Sequence, residues 1–186
     1  MTSNPDKARE AAEILGVELK SVALDLPEPQ TLDVAEVAAA KAITAREALS
    51  DPDHPVLVED SGLVIEVWNG LPGALTKWFL RSVGSEGLLR MLSVEENRSA
   101  RAVCAVAVAV GDGSVRAFVG EVEGSIAPEP RGSGGFGWDP IFVPEGYAKT
   151  YAELGALKHR DSHRARALKA ARAGLETPPP IGKERV

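Results

Sequence analysis

This chain of 186 residues has one cysteine, few aromatic side chains and no long apolar run. The single cysteine, Cys104, excludes an internal disulfide and a thiolate metal site, and it favours a reducing compartment. The longest apolar run, 102–110, has the length of a strand and falls short of the roughly 18 residues of a membrane span. The first residues show no apolar signal core. We therefore expect a cytoplasmic protein with no membrane partner.

Positive charge is also scarce. The 21 Lys and Arg residues are outnumbered by 27 Asp and Glu residues, for a net charge of −6. This balance argues against a nucleic-acid partner. Basic side chains nevertheless concentrate in 158–172, so a smaller anionic partner could meet a local patch there. A solvated basic helix face is the alternative.

Length and a hydrophobic content of 44% fit one domain, which we place at 1–176, with 177–186 as a loose tail. The apolar pattern and its flanking residues predict helices over 3–16, 33–49, 75–83, 86–92 and 162–175. They predict extended segments over 17–26, 56–58, 63–68 and 141–143, and a hairpin of 100–110 with 115–123. This order indicates a mixed α/β class.

Three acidic residues stand where their position suggests chemistry. Glu59 and Asp60 follow the apolar stretch 56–58 and precede a Ser-Gly pair, which predicts a bend. Carboxylates at a strand end can hold a hard cation such as Mg²⁺, and an Asx-type turn is the structural alternative. Glu36 stands three residues after Asp33, the spacing of a capping box, which would explain it without any function.

Lysines at two helices are harder to assign. Lys41 lies on the apolar stripe of its helix, where an unpaired ammonium would be costly to bury. It either extends to water or reaches an anion. Ser3, Asn4 and Lys7 surround a predicted helix N-terminus, which favours a phosphate, although an ordinary cap explains them as well.

The stretch 132–137 matches G-x-G-x-x-G, but no apolar strand precedes it and no helix follows it. We therefore predict a mobile glycine loop and no dinucleotide site. The loop could present Phe136 and Trp138 to a nucleobase, or both could be core anchors. His163 and Arg164 fall in the first turn of the last helix, where cations oppose the helix dipole. An anionic or carbonyl-bearing ligand would explain them.

Taken in order, these stretches resemble the inosine/xanthosine triphosphate pyrophosphatase family. The matching segments are 2–7, Glu36 with Lys41, 58–63, 69–73 with 77–79, 135–140, and Lys158 with 162–164. The resemblance implies an elongated mixed twisted sheet with flanking helices, a cleft between two lobes, and a homodimer. It implies hydrolysis of ITP, dITP or XTP to the monophosphate and pyrophosphate with Mg²⁺, which removes non-canonical purines from the nucleotide pool.

The resemblance also assigns roles to residues. Asp60 would orient or deprotonate the attacking water and would hold Mg²⁺ with Glu36, with Glu59 as a further metal candidate. The substrate-binding residues that it implies are Thr2, Ser3, Asn4, Pro5, Asp6, Lys7, Lys41, Ser61, Phe136, Gly137, Trp138, Asp139, Lys158, His163 and Arg164. Ser3, Asn4 and Lys7, with Lys41, would hold the triphosphate. Phe136 and Trp138 would stack on the base, and the polar rim around it would be Asp139, Lys158, His163 and Arg164.

We expect the group at position 6 of the purine to decide which base is accepted. Hypoxanthine and xanthine present an acceptor at position 6, where adenine presents a donor, so a donor on Arg164 or His163 would reject ATP. The same residues and Trp138 argue against a pyrophosphatase for modified pyrimidines.

Two departures from the family pattern bear on activity. Only Met1 precedes Thr2, where the family has an apolar strand, so a catalytically silent nucleotide-binding module is the alternative function. Asp6 stands where the family often has glycine, and a carboxylate near phosphates is unfavourable unless it faces away or joins the metal shell.

Overall fold

The computed structural model describes residues 5–49, 54–111 and 113–176, with side chains from residue 8 onward. The predicted loose tail at 177–186 lies outside this range. The helices in the described residues are α1 (Pro5–Leu15), α2 (Val34–Leu49), α3 (Thr76–Met91), α4 (Tyr151–Leu154), α5 (Lys158–Asp161) and α6 (His163–Glu176). The strands are β1 (Val56–Ile65), β2 (Pro72–Gly73), β3 (Ser99–Ala109), β4 (Val115–Ile126) and β5 (Phe142–Pro144).

The five described strands form one sheet in the order β2-β1-β3-β4-β5, and each neighbouring pair is antiparallel. β1 pairs with β3 along its whole length, from Val56 opposite Ala109 to Ile65 opposite Ala100. β3 and β4 form the predicted hairpin, closed by the Val110 N–H donating to the Ser114 carbonyl at 3.0 Å. Helices flank this sheet, which confirms the α/β class.

Helices cover both faces of the sheet. α2 packs through Val34, Ala38, Ala42 and Ala45 on alternate residues of β1 and β3. α1 and α6 cover the other face, where the core includes Leu15, Val106, Leu168 and Ala171. A third cluster joins the end of β1 to α3, α4 and β5. In the described part of the chain, no helix is long and apolar enough to cross a membrane.

Predicted helix ends agree with local chemistry. α1 ends at Gly16, whose φ of 71° suits glycine. The Asp33 carboxylate accepts the Ala35 N–H at 2.7 Å ahead of α2, and the Ser162 hydroxyl accepts the Ala165 N–H at 3.1 Å at the start of α6. The two helices predicted over 75–83 and 86–92 are confirmed as the two arms of α3, which are separated by a non-helical break at Gly84.

Two predictions of local backbone structure were wrong, one of a strand and one of a bend. Residues 17–26 form no strand, because no described strand pairs with them, and they run as an irregular segment toward α2. The expected bend at 59–62 is also absent. β1 continues through Ser61 and Gly62, which lie opposite Cys104 and Val103 of β3. A Cβ at Gly62 would lie 2.1 Å from the Gly73 carbonyl oxygen, so glycine is needed here for the approach of β2.

Candidate active site

Two lysines and two carboxylates converge beside β1. Lys41 Nζ lies 3.1 Å from Asp60 Oδ1 and 3.0 Å from Glu28 Oε1. Lys77, in the first turn of α3, places its Nζ 3.5 Å from the same Glu28 oxygen. We call these four residues the Asp60 cluster.

Strand alternation explains why Asp60 faces α2. Val56 and Val58 pack in the α2 core, and Asp60 follows them on the same face of β1. Lys41 lies one helical turn from Ala38 and Ala45, so its stem runs along the buried stripe and its ammonium reaches the carboxylate. Of the two alternatives for Lys41, the structure therefore shows the anion partner.

Asp60 is the electrostatically unusual member of the cluster. Burial raises its pKa to about 6 from an ordinary 3.8, although the Lys41 ammonium opposes the rise. Its side chain is 14% exposed, and its Oδ2 is buried with no hydrogen-bond partner among the described residues. A buried carboxylate with one unsatisfied oxygen is suited to accept a proton or to bind a cation.

The pKa shifts of Lys41 and Glu28 favour the charged forms of both groups, whereas that of Asp60 favours its neutral form. Burial alone would lower the pKa of Lys41, but the carboxylates of Asp60 and Glu28 raise it above its usual value. Burial would raise the pKa of Glu28, yet Lys41 and Lys77 lower it overall. At neutral pH the cluster therefore holds fixed cations next to acidic oxygens.

A pocket of about 220 Å³ opens beside this cluster. The irregular segment 22–26 forms one wall, and Val58, Glu28, Lys41 and Lys77 contribute to its lining. A wider surface hollow of about 330 Å³ between α1 and α6 shares no lining residue with the cluster, so we take the smaller pocket as the site.

Glu59 belongs to the other face of the sheet. Its two carboxylate oxygens accept hydrogen bonds from Nε and Nη2 of Arg164, each at 2.8 Å. Arg164 Nη1 also donates to Glu10 of α1. Because side chains alternate along β1, Glu59 and Asp60 point to opposite faces, and Glu59 connects β1 to α6.

A second aspartate and lysine pair joins Asp139, which precedes β5, to Lys158 at the start of α5. Lys158 Nζ contacts both oxygens of Asp139, at 2.6 and 2.7 Å. Asp139 Oδ2 also accepts the Phe136 backbone N–H at 2.9 Å. A Cβ at Gly135 would lie 2.0 Å from Asp139 Oδ2, so the glycine makes room for this carboxylate. Asp139 is 1% exposed and fully paired.

Aromatic rings surround this pair. Phe136 is 48% exposed, whereas Trp138 is 4% exposed. Their ring centroids are 5.7 Å apart, and Trp138 lies 6.1 Å from the His163 imidazole. Phe136 is therefore available for stacking on a ligand, whereas Trp138 is a core anchor, so each of the two alternatives from the sequence applies to one of the residues. The Trp138 Nε1 has no partner among the described residues.

A family model described as the Ham1 family matches residues 1–173. The chain belongs to the Ham1 family. It is 46% identical over 175 residues to a dITP/XTP pyrophosphatase of Ignicoccus hospitalis, with 90% of each chain covered. It is 44% identical over 184 residues to an inosine triphosphate pyrophosphatase of Tuber melanosporum, with 96% of each covered.

Solved structures of Ham1 proteins have the same fold. A Ham1 protein from Staphylococcus aureus matches with a TM-score of 0.81 at 30% identity, over 94% of this chain and 95% of that one. The family expected from the sequence is therefore confirmed.

The Ham1 chain brings the expected residues into two groups. Lys41 and Asp60 meet in the Asp60 cluster, and the second group contains Phe136, Gly137, Trp138, Asp139, Lys158 and His163. Arg164 pairs with Glu59 between them. Ser61 lies two positions after Glu59 and shares its face of β1.

The expected residues near the start of the chain are not all described. Thr2, Ser3 and Asn4 lie outside the described residues, as do the side chains of Pro5, Asp6 and Lys7. Their roles stay predictions.

The expected metal role of Glu36 stays a prediction, and its described contact is with Thr31. Its Oε2 accepts a hydrogen bond from the Thr31 hydroxyl at 2.9 Å, on the exposed first turn of α2. Asp33 caps α2, but the Asp33 N–H donates to Thr31, so the full capping box does not form. Glu28, two residues beyond the predicted extended segment 17–26, was not expected in the site and contacts Lys41 and Lys77.

Three residues of the candidate site had no local sequence pattern that would predict their role. Glu28 lies between two prolines in an irregular segment, Lys77 is an exposed helix residue, and Tyr151 reads as a core aromatic. All three are defined by contacts with residues distant in sequence, and Tyr151 is buried against His163 and Lys158.

The residues present fit a magnesium ion in part. No group of three or more His, Cys, Asp and Glu side chains forms a metal cluster within 5–49, 54–111 and 113–176. Mg²⁺ commonly takes only one or two carboxylates and completes its shell with waters and substrate phosphates. Glu28 and Asp60 supply two carboxylates, and the unsatisfied Asp60 Oδ2 is an available oxygen.

Proposed function

We propose that this chain hydrolyses non-canonical purine nucleoside triphosphates, such as ITP, dITP and XTP, to the monophosphate and pyrophosphate. The observation that carries the proposal is the buried, half-satisfied Asp60 carboxylate beside Lys41 and Lys77. Relatives named as dITP/XTP and inosine triphosphate pyrophosphatases support the substrate class. They also disfavour a catalytically silent binding module.

Asp60 is suited to activate water. In the reaction the water oxygen bonds to the α-phosphorus, the bond from that phosphorus to the bridging oxygen breaks, and pyrophosphate leaves with the electron pair. A proton of the water passes to Asp60, whose pKa of about 6 makes it a stronger base than an ordinary aspartate while it remains mostly ionised at neutral pH.

Lys41 and Lys77 would bind the phosphate oxygens. Both ammonium groups reach the oxygens of Glu28 in this structure, and a triphosphate could replace that carboxylate as their partner. Cations fixed in a partly buried pocket stabilise the charge that develops on the leaving pyrophosphate.

Asp60 and Glu36, with Glu59 as a further candidate, are the residues that the family resemblance implies for Mg²⁺, and Glu28 adds a carboxylate next to Lys41 and Asp60. When bound, the ion would neutralise phosphate charge and polarise the reacting phosphoryl group. Magnesium dependence is part of the proposal, together with a homodimer and a cytoplasmic location.

The second group of residues would bind the base. Phe136 offers an exposed ring for stacking. Lys158 lies 5.1 Å from the Phe136 ring centre and His163 lies 6.1 Å from the Trp138 ring centre. Both could donate to the carbonyl at position 6, which adenine lacks. Because Arg164 directs three donors to Glu59 and Glu10, His163 is the stronger candidate of the two residues expected to select the base.

The test is pyrophosphate release from a panel of ITP, XTP, dITP, ATP and GTP, with and without Mg²⁺. We expect IMP and pyrophosphate from ITP, a rate for ATP lower by at least about 100-fold, and loss of activity in chelator. Equal rates for ATP and ITP, or release of single phosphates, would contradict the proposal. Light scattering of the purified chain checks the expected dimer.

A further inference from the structure

Tyr151, the first residue of α4, contacts two polar side chains of the second group of site residues, His163 and Lys158. Its ring stacks on the His163 imidazole with a centroid distance of 5.9 Å and an interplanar angle of 19°. The Lys158 ammonium lies 4.8 Å from the centre of the same ring.

The ring itself is held in place. Tyr151 is 3% exposed and packs against Phe142 with ring centroids 4.9 Å apart. Burial raises the pKa of its hydroxyl, so the phenol stays neutral and does not act as an acid or base near neutral pH. What Tyr151 offers to its neighbours is a fixed aromatic surface.

α4 is anchored to the glycine loop on its other side. Thr150 caps α4, and its hydroxyl donates to the Arg131 carbonyl at 2.8 Å. The Ala152 N–H donates to the Asp139 carbonyl at 3.1 Å. Tyr151 is therefore placed by the same short helix that positions the loop carrying Phe136 and Asp139.

Lys158 lies between two rings. Its ammonium is 5.1 Å from the Phe136 centroid and 4.8 Å from Tyr151, while Asp139 holds it from a third side. Phe136 is 48% exposed and Tyr151 is 3% exposed, so Tyr151 is the more tightly packed ring of the pair. Cation–π and stacking contacts of this kind restrict orientation as well as position.

We propose that Tyr151 is a positioning residue for base selection. Its ring aligns His163 and Lys158 toward one edge of the purine and so favours an acceptor at position 6. This inference rests on the proposed function and adds to it a determinant outside the set of residues expected to touch the nucleotide.

The kinetic test compares Tyr151→Phe with Tyr151→Leu. The phenylalanine variant keeps the ring and should keep kcat, KM and the preference for ITP over ATP within about twofold. The leucine variant should raise the KM for ITP and reduce the ratio of kcat/KM for ITP to that for ATP, each by about tenfold. Its kcat for ITP should change by less than about threefold, because the Asp60 cluster is untouched.

Phe142→Leu is the matched control. Phe142 is fully buried and packs on Tyr151 but has no recorded contact with Lys158 or His163, so this change removes a ring from the same core. It should lower stability without changing base preference. If Tyr151→Leu leaves the ITP to ATP ratio unchanged, or if Phe142→Leu reduces it equally, the inference is wrong. Tyr151→Met carries the same expectation should the leucine variant not fold.

A measurement without turnover separates this inference from the proposed function. The chain has three histidines, so the imidazole protons of His163 can be assigned by NMR with a His163→Gln variant. We expect these resonances to move in Tyr151→Leu and to stay in Phe142→Leu. If the wild-type chain cleaves no nucleotide, the proposed function fails while the NMR result still tests the contact. If His163 does not respond to loss of the tyrosine ring, the positioning role fails.

Discussion

Two buried aspartate and lysine pairs within the described residues differ in how many of their carboxylate oxygens are paired. Asp60 contacts Lys41 through one oxygen at 3.1 Å and leaves its other oxygen without a partner. Asp139 contacts Lys158 through both oxygens, at 2.6 and 2.7 Å, and also accepts a backbone N–H. Lys41 of the first pair also contacts Glu28, whereas both carboxylate oxygens of the second pair contact the same lysine.

This difference separates chemistry from positioning. A satisfied buried ion pair holds its surroundings in place, because breaking it leaves a charge in the protein interior. An incomplete pair can accept a proton, a cation or a phosphate without first giving up all its contacts. We assign the first behaviour to Asp139 with Lys158 and the second to Asp60 with Lys41.

Removing Lys158 is expected to have the largest effect on stability. Lys158→Met leaves the Asp139 carboxylate, which is 1% exposed, without its cation and should lower the free energy of unfolding by about 3–5 kcal/mol. Lys41→Met should cost less than half of this, because Asp60 can take up a proton and Glu28 keeps Lys77. Urea unfolding at pH 7 measures both. Equal losses in the two variants would remove the distinction between the pairs.

The contribution of Asp60 to the free energy of unfolding is expected to depend on pH. The pKa of Asp60 is raised to about 6 in the folded chain, so its protonated form stabilises the fold below about pH 4, and this contribution is lost as the pH rises through 6. The wild type should therefore lose about 3 kcal/mol relative to Asp60→Asn between pH 4 and pH 7.

Unfolding in chelator at a series of pH values tests this expectation. A difference between wild type and Asp60→Asn that is flat or grows with pH would show that Asp60 has no raised pKa.

Removing Lys41 is expected to act mainly on turnover. Lys41→Met should reduce kcat/KM for ITP by about 100-fold, or about 2.7 kcal/mol. Lys169→Met is the control, since this exposed lysine only donates to the Arg160 carbonyl, and it should keep the wild-type rate. Steady-state pyrophosphate release gives both values, and a Lys41→Met variant as active as Lys169→Met would exclude a role for Lys41 in phosphate binding.

The smallest change in the free energy of unfolding is expected at an exposed ion pair. Asp161 and Arg166 lie 2.6 Å apart, with side chains 63% and 46% exposed. Asp161→Asn should change the free energy of unfolding by less than about 1 kcal/mol and should leave turnover unchanged. A loss comparable with that of Lys158→Met would mean that burial does not explain the ranking.

Much of the fold could be predicted from the sequence, because it depends on local chemistry. The hairpin follows from an apolar run on each side of Asp112-Gly113, although Asp112 itself lies outside the described residues, and α2 follows from its stripe and the Asp33 cap. The bend expected at Ser61-Gly62 failed because β3 pairs with these residues, and no local pattern reveals a partner 40 residues away. The segment 17–26 failed for the opposite reason, since an extended pattern needs a neighbouring strand.

The candidate site was predictable where a residue conflicts with its surroundings. Lys41 on an apolar stripe and Asp60 after an apolar strand are such conflicts, and they meet in the structure. Glu28 conflicts with nothing locally, and its role follows only from the approach of Lys41 and Lys77. The pair of Glu59 and Arg164, separated by 105 positions, depends equally on the final packing of α6 against β1.

The most direct test of the central assignment is binding and turnover of ITP by Asp60→Asn in the same preparation. We expect the variant to fold, to bind ITP with Mg²⁺ within about tenfold of the wild-type affinity, and to release pyrophosphate at least about 1000-fold more slowly. A variant that binds ITP and keeps its turnover would contradict the assignment of Asp60 as the group that activates water.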